Sequence, residues 1–289
     1  MEQLNNPKAI FLDMDGTILN HANQITIKTK EIIATIRNKG IPVFIATGRS
    51  SGEIFQLAPQ GFEVDGIVSS NGMTTYFGEK KLEQHYLPKQ LVELVIEKAQ
   101  EKQVYYELFP TEGSRIALQQ DYSILAAETE GPKPASVGIN EWVERKEAMN
   151  GNIEWCEILP AQHYSKFYCF SKQTAHIDNW KETLDELKRS INFTTSASSA
   201  HNVEIMVANV NKATGIKAIL NQLAIDPADI LVMGDSYNDV PMFQLAGQTV
   251  AMKNADREIQ DMTNEVTTYT CDEDGVYHYL NERFIKNKW

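Results

Sequence analysis

Basic residues are in short supply in this sequence, 27 Lys and Arg against 39 Asp and Glu, for a formal charge of −12. That balance argues against nucleic acid or an anionic membrane surface as a partner. The three cysteines, Cys156, Cys169 and Cys271, are too few and too scattered for a disulfide framework or a zinc site. A reducing cytoplasm is therefore the expected compartment. No apolar run approaches the ~18 residues of a membrane helix, and the start, Met1 to Asn6, has no basic and apolar leader pattern. Low-complexity tracts and internal repeats are absent as well. The six histidines (His21, His85, His163, His176, His201 and His278) show no ligand spacing and read as ordinary surface or core residues. What these exclusions leave is a chain of 289 residues, 42% apolar, with ample material for a large core or two modest ones.

The stretch Ala9-Ile10-Phe11-Leu12-Asp13-Met14-Asp15-Gly16-Thr17 sets the reading of the rest. Four apolar residues in a row indicate a buried parallel strand, and the two acids after it lie where open α/β sheets bind ligands. Two carboxylates so close repel by ~4 kcal/mol at 4 Å with an effective dielectric near 20, which a hard cation such as Mg²⁺ relieves. A helix follows, with Thr29, Ile32, Ile33 and Ile36 at helical spacing and Gly40 as its stop; then comes the strand Ile41–Ala46, ending at Thr47-Gly48-Arg49. Strand, helix, strand makes a βαβ unit, so Thr47 comes to the same sheet edge as Asp13. The strand Gly66–Ser69 leads to Ser70-Asn71-Gly72, and Thr74–Lys81 reads as a hairpin.

From 85 to 208 the pattern changes to α+β, with a helix after Pro88, strands around 104–109, 115–118 and 165–170, a helix over 177–187, and a closing hairpin of 192–195 with 203–207. The βα rhythm then returns. Lys212 opens a helix with Ile216, Ile219, Leu220 and Leu223 on one face, and the strand Ile230–Met233 ends in Gly234-Asp235-Ser236-Tyr237-Asn238-Asp239. The expected organisation is a core of 1–84 and 209–289 interrupted by an inserted block of 85–208.

Four groups thus recur in order: Asp13-Met14-Asp15-Gly16-Thr17, Thr47-Gly48-Arg49, Lys212, and Gly234-Asp235 with Asn238-Asp239. In this the sequence resembles the haloacid dehalogenase (HAD) superfamily, whose four ordered motifs are D-x-D-G-T, a strand ending in T-G-R or similar, a lone Lys, and G-D-x-x-N-D. The size and position of the insert, with the stretches Ser69–Gly72 and Val203–Lys212, resemble the Cof-like branch with its IIB-type cap. The departures are Met14 where Leu or Ile is commoner and Ala213 where Gly is usual.

The resemblance implies a fold, a Rossmann-like α/β core with a parallel sheet flanked by helices plus an inserted α+β cap. It also implies roles. Asp13 is the expected nucleophile, forming an aspartyl phosphate, and Asp15 the expected general acid and base. Mg²⁺ is expected on the Asp13 carboxylate, the Asp15 carbonyl and the Asp235 carboxylate. The phosphoryl group is expected to be held by the Met14 backbone, Thr47, Gly48, Lys212 and Asn238. Asp239 is expected to orient Lys212 or a metal-bound water. Arg49 reads equally as a surface cation or a contact to substrate or cap. Asn71 reads as a turn residue, with substrate contact as the alternative, and Thr17 as a loop support whose hydroxyl bonds local backbone.

Asp15 argues against dehalogenation, which needs no leaving-group acid. The leading expectation is a phosphatase for a small phosphorylated metabolite, acting as a monomer or homodimer. A phosphomannomutase-type mutase is the runner-up, disfavoured because the cap cations Arg115, Lys133, Arg145 and Lys166 read as few and scattered. A non-catalytic sugar-phosphate sensor is the third reading, against which the intact Asp13, Asp15, Lys212 and Asp235 stand.

Overall fold

Strand β1 (Ala9–Leu12) is fully buried and lies in the middle of an eight-stranded sheet. In chain order it is followed by α1 (Ile27–Asn38), β2 (Val43–Ala46), α2 (Ser51–Leu57), β3 (Gly66–Ser69), β4 (Thr74–Phe77) and β5 (Lys80–Gln84). An α+β stretch comes next: α3 (Lys89–Lys102), β6 (Tyr105–Pro110), β7 (Arg115–Leu118), α4 (Tyr122–Thr129), α5 (Ile139–Glu147), β8 (Ile153–Cys156), β9 (Tyr164–Phe170), α6 (Thr174–Leu187), β10 (Phe193–Ser196) and β11 (Asn202–Val207). The chain finishes with α7 (Lys212–Leu223), β12 (Ile230–Gly234), α8 (Val240–Leu245), β13 (Gln248–Ala251), α9 (Arg257–Gln260), β14 (Glu265–Val266) and α10 (Gly275–Asn281). The structure, a computed structural model, describes residues 6–111 and 113–286, with the side chain of Phe55 excepted. The leader reading of residues 1–5 and the end of the C-terminal tail, 287–289, lie outside the described residues. No helix among the described residues is long and apolar enough to cross a membrane.

Two compact units result, one joining Met1–Gln84 to Asn211–Trp289 and the other formed by His85–Val210. The second junction falls after Val210, slightly later than the expected 208, where the Val210 N–H still bonds the Val207 carbonyl. In the first unit the strand order is β14-β13-β12-β1-β2-β3-β4-β5. The strands from β14 to β3 run parallel, and the β3–β4–β5 hairpins add antiparallel strands at one edge. The two-residue alternation of β1 sends Ile10 and Leu12 to one face, with Ile32, Ile33 and Ile36 of α1 and Leu280 of α10. Ala9 and Phe11 go to the other, with Ile216, Ile219 and Leu220 of α7, and the Phe11 and Phe44 rings stack at 4.8 Å. Helices covering both faces explain why these strands read as unbroken apolar runs rather than alternating ones. The mixed α/β fold with a parallel, helix-flanked sheet is the one expected.

The second unit is a six-stranded sheet of order β10-β11-β9-β6-β7-β8, antiparallel except for β7 with β8. Three of its elements, α4, α5 and β8, escape the sequence reading. The buried side of α4 carries Glu128 and Thr129 beside Ile124 and Leu125, so no clean apolar stripe marks it. The cap cations also need correction. Arg115 and Lys166 both lie over the Phe109 ring, at 4.9 and 4.3 Å, and Arg115 and Arg145 each bond the fully buried Glu107 carboxylate at 2.7 Å. Strand pairing puts Phe109 opposite Lys166 and Glu107 opposite Tyr168, so these groups share a sheet face. Three of the four cations are therefore gathered, not scattered. Their charge is met by Glu107 and, for Lys166, by Glu204 at 3.3 Å.

Candidate active site

The C-terminal ends of β1, β2 and β12 lie side by side, because β1 pairs in parallel with both other strands. Asp13 continues the β1–β12 ladder, donating its N–H to the Met233 carbonyl at 2.9 Å. The chain then folds over itself. The Met14 carbonyl accepts from the Thr17 and Leu19 N–H groups at 3.1 and 2.8 Å, while the Met14 side chain is sealed in the core. Gly16 takes a φ of +70°, and a Cβ there would stand 2.1 Å from Asp235 Oδ2. The hydroxyl of Thr17, expected to bond the nearby backbone, has no hydrogen-bond partner among the described residues; its side chain is buried and acts by packing.

Lys212 is the first residue of α7, set there by the Asn211 cap, whose side chain accepts from the Thr214 N–H at 3.2 Å. Its Nζ is fully buried and donates to Asp13 Oδ1 and to Asp239 Oδ1, both at 2.6 Å. The other oxygen of Asp239 accepts the N–H groups of Asp235 and Ser236 at 2.9 and 3.1 Å, so that carboxylate is occupied on both sides. A Cβ on Gly234 would stand 2.4 Å from Asp239 Oδ2, which reserves that position for glycine.

Around this centre the loop after β2 is tied to the loop after β3. The Thr47 carbonyl accepts from Asn71 N–H at 2.9 Å, and the Arg49 carbonyl accepts from Ser70 N–H at 2.8 Å. Thr47 Oγ1 accepts from Arg49 N–H at 3.1 Å, across Gly48. Ser70 and Asn71 both adopt left-handed backbone, with φ of +47° and +52°. Asn71 Oδ1 accepts from Asn238 Nδ2 at 3.5 Å, and Asn238 Oδ1 is buried without a partner among the described residues. Arg49 is not a surface cation. Its Nε lies 2.8 and 3.0 Å from the two Asp15 oxygens and its Nη2 lies 2.5 Å from Oδ1. This fork-on-carboxylate pair fixes the Asp15 side chain, which is 43% exposed, against a nearly buried guanidinium. Asn254, unmarked in the sequence reading, donates to the Gly16 carbonyl at 2.8 Å and lies 3.4 Å from Asp235 Oδ2. It follows β13 as the acids follow β1 and β12, and strand-end position is the signal that finds it.

Carboxylates of Asp13, Asp235 and Asp239 come within 4.8 Å of one another. Against three acids stands one ammonium, Lys212, leaving two negative charges uncompensated (three minus one). Burial, and then the Asp239 charge, push Asp13 up to about 8 despite Lys212. Burial and Asp13 likewise hold Asp235 well above the usual carboxylate range. Lys212 is raised too: burial alone would lower it, and Asp13 and Asp239 outweigh that. An all-oxygen cluster that holds excess negative charge suits a hard divalent cation. Asp239 is engaged on both oxygens, whereas Asp13 spends only Oδ1 on Lys212, so Asp13 and Asp235 are the carboxylates suited to Mg²⁺.

A family model of haloacid dehalogenase-like hydrolases matches residues 10–280. Phosphatase YwpJ of Bacillus subtilis (strain 168) is 28% identical over 297 residues, 94% of this chain and 98% of that protein. The 5-amino-6-(5-phospho-D-ribitylamino)uracil phosphatase YwtE of the same organism is 26% identical over 285 residues, 95% of this chain and 97% of that one. Among solved structures, the HAD subclass IIB sugar phosphatase BT4131 has the same fold, with a TM-score of 0.69 at 22% identity over 95% of this chain and 98% of its own. With the family match spanning nearly all the described residues, the chain belongs to the haloacid dehalogenase-like hydrolases.

Proposed function

We propose that this HAD-type phosphatase hydrolyses small phosphomonoesters, sugar phosphates or related phosphorylated metabolites, with Mg²⁺ and through an aspartyl phosphate on Asp13. The observation that carries the reading is the Asp13–Lys212–Asp239 chain of 2.6 Å contacts with Asp235 beside it. Asp13 attacks phosphorus as a carboxylate, which needs no base to activate it. Lys212 turns its charge toward both the nucleophile and the phosphoryl oxygens, and Asp239 holds it there. The Met14 and Gly48 backbone, Thr47 Oγ1 and the Asn238 Nδ2 donor complete the phosphoryl cradle; the long 3.5 Å contact of that donor to Asn71 Oδ1, which a phosphoryl oxygen can replace, supports this. Asp15 protonates the leaving alcohol and then takes a proton from the attacking water, with Arg49 orienting it. Asp13, Asp235 and the Asp15 carbonyl would hold Mg²⁺, which would neutralise charge on the transferring phosphoryl group. Relatives whose names specify a phosphoribityl compound and a sugar phosphate support a polyol or sugar phosphate as substrate class.

The test is phosphate release from p-nitrophenyl phosphate by purified protein with and without Mg²⁺. Release is expected only with Mg²⁺, Asp13→Asn is expected to abolish it, and Asp15→Asn to lower kcat by about 10² to 10⁴-fold. Turnover that survives Asp13→Asn overturns the covalent route. A panel of phosphorylated metabolites then identifies the substrate.

A further inference from the structure

On the first unit, away from the phosphoryl cradle, three chemically different donors converge from distant parts of the chain. His21 follows β1, and Cys271 and Asp272 begin a short 3-10 turn before α10. Cys271 Sγ lies 3.9 Å from His21 Nδ1, and Asp272 Oδ2 lies 2.6 Å from the same nitrogen. The other Asp272 oxygen accepts the His21 N–H at 2.9 Å. One atom from each residue falls within a 4.8 Å sphere of mutual distance.

This is not a nucleophile triad. In such a triad the thiol and the carboxylate occupy opposite ring nitrogens, the acid orienting the base for the thiol. Here both face Nδ1. Burial, followed by the charges of Asp272 and Asp235, also pushes the Cys271 thiol up to about 12, the wrong direction for a free nucleophile. Convergence of S, N and O on one point is instead a metal-ligand arrangement. Zinc bonds of ~2.3 Å to sulfur and ~2.1 Å to nitrogen and oxygen, at tetrahedral angles, need S···N near ~3.6 Å and N···O near ~3.4 Å. The first spacing is met to within a few tenths of an ångström. The second opens by rotating His21 and Asp272, whose side chains are 56% and 51% exposed. Cys271 is almost fully buried and anchored, its N–H donating to Asn254 Oδ1 at 2.9 Å.

We infer that His21, Cys271 and Asp272 form a second metal site, for one thiophilic divalent ion of the Zn²⁺ class, with water in the fourth position. Binding releases the Cys271 thiol proton, and the imidazole ligates through Nδ1 with its own proton on Nε2. The Asp272 oxygen that accepts the His21 backbone N–H keeps the carboxylate beside the imidazole as it turns. A sulfur and imidazole donor set disfavours Mg²⁺, so the site is chemically separate from the all-oxygen cluster of Asp13 and Asp235. It is nonetheless only one residue from it, since Asn254 bonds Cys271 on one side and Gly16 and Asp235 on the other.

The experiment is a Co²⁺ titration of the full chain, reduced and under saturating Mg²⁺, followed by thiolate-to-cobalt charge-transfer absorption. One equivalent is expected to bind, to be displaced by Zn²⁺, and Zn²⁺ is expected to raise the Tm. His21→Ala, a surface change that leaves the fold intact by circular dichroism, should remove the band and the Zn²⁺-induced Tm shift, as should Cys271→Ser. Cys156→Ser should keep both. No thiolate band in the unmodified chain, or a band that persists in His21→Ala or Cys271→Ser, overturns the assignment. The readout is independent of phosphatase activity.

Discussion

Gly16 has no room for a side chain: its φ is +70°, and an added Cβ would overlap the Asp235 carboxylate at 2.1 Å. Gly16→Ala is therefore expected to cost ~1–3 kcal/mol in backbone strain alone, and to displace Asp235. Of the two effects the second is diagnostic. The half-saturating Mg²⁺ concentration for p-nitrophenyl phosphate turnover should rise, which a purely destabilised but correctly shaped site would not show. At this scale the sequence is informative where a residue ends an apolar run, as Asp13, Thr47 and Asp235 do. It is silent on pairing. Nothing in Arg49 announces that its guanidinium grips Asp15, 34 residues earlier, and the Thr17 hydroxyl, which sequence chemistry assigns to local backbone, is simply packed. His21 and Cys271 stand 250 residues apart, so no local spacing could suggest their meeting.

Among the elements, α7 links fold to chemistry most directly. Its apolar face (Ile216, Ile219 and Leu220) packs into the core cluster beneath the sheet, while its first residue supplies Lys212. Its start is set by the Asn211–Thr214 capping box and by Gly72, whose missing Cβ leaves the Asn211 carbonyl its place, 2.2 Å from where that atom would be. Asn211→Ala should cost ~1 kcal/mol of stability through the lost cap. Fraying the first turn also loosens Lys212, so kcat should fall by more than the lost folded fraction explains; Tm and kcat measured together check this. Helices and strands with an uninterrupted apolar face are legible in the sequence, among them β1, β2, β12, α1 and α7. The inserted unit is less so. There α4 buries Glu128 and Thr129, and β8 is a four-residue strand at the sheet's edge, paired with β7. Buried polar contacts, the Ser171 hydroxyl and the Lys172 N–H to Glu128 among them, replace the apolar period that sequence reading relies on.

For the whole molecule, the acidic cluster ties stability to pH and, with the proposed Mg²⁺, to the cation. Burial and neighbouring charge raise Asp13 from an ordinary 3.8 to about 8 and raise Asp235 in the same direction. A group whose pKa is higher in the folded chain than in the unfolded one binds its proton more tightly when folded. Its contribution to stability is complete below the unfolded value and is lost as pH rises through the folded value. Metal-free protein in a chelator should therefore lose Tm steadily between about pH 4 and pH 8, as Asp13 and Asp235 are forced to ionise beside Asp239. Mg²⁺ held as proposed takes the ionised form, so it should restore the loss, and the Tm gain on adding Mg²⁺ should grow as pH rises across that window. Replacing Asp235 by Asn removes one of the charges. It should raise the Tm of the chelated protein near pH 8 while shrinking the Mg²⁺-dependent gain. Scanning calorimetry of both proteins, with chelator and with Mg²⁺, tests both signs. A gain from Mg²⁺ that is the same at pH 5 and pH 8 would be incompatible with a cation held by these two carboxylates.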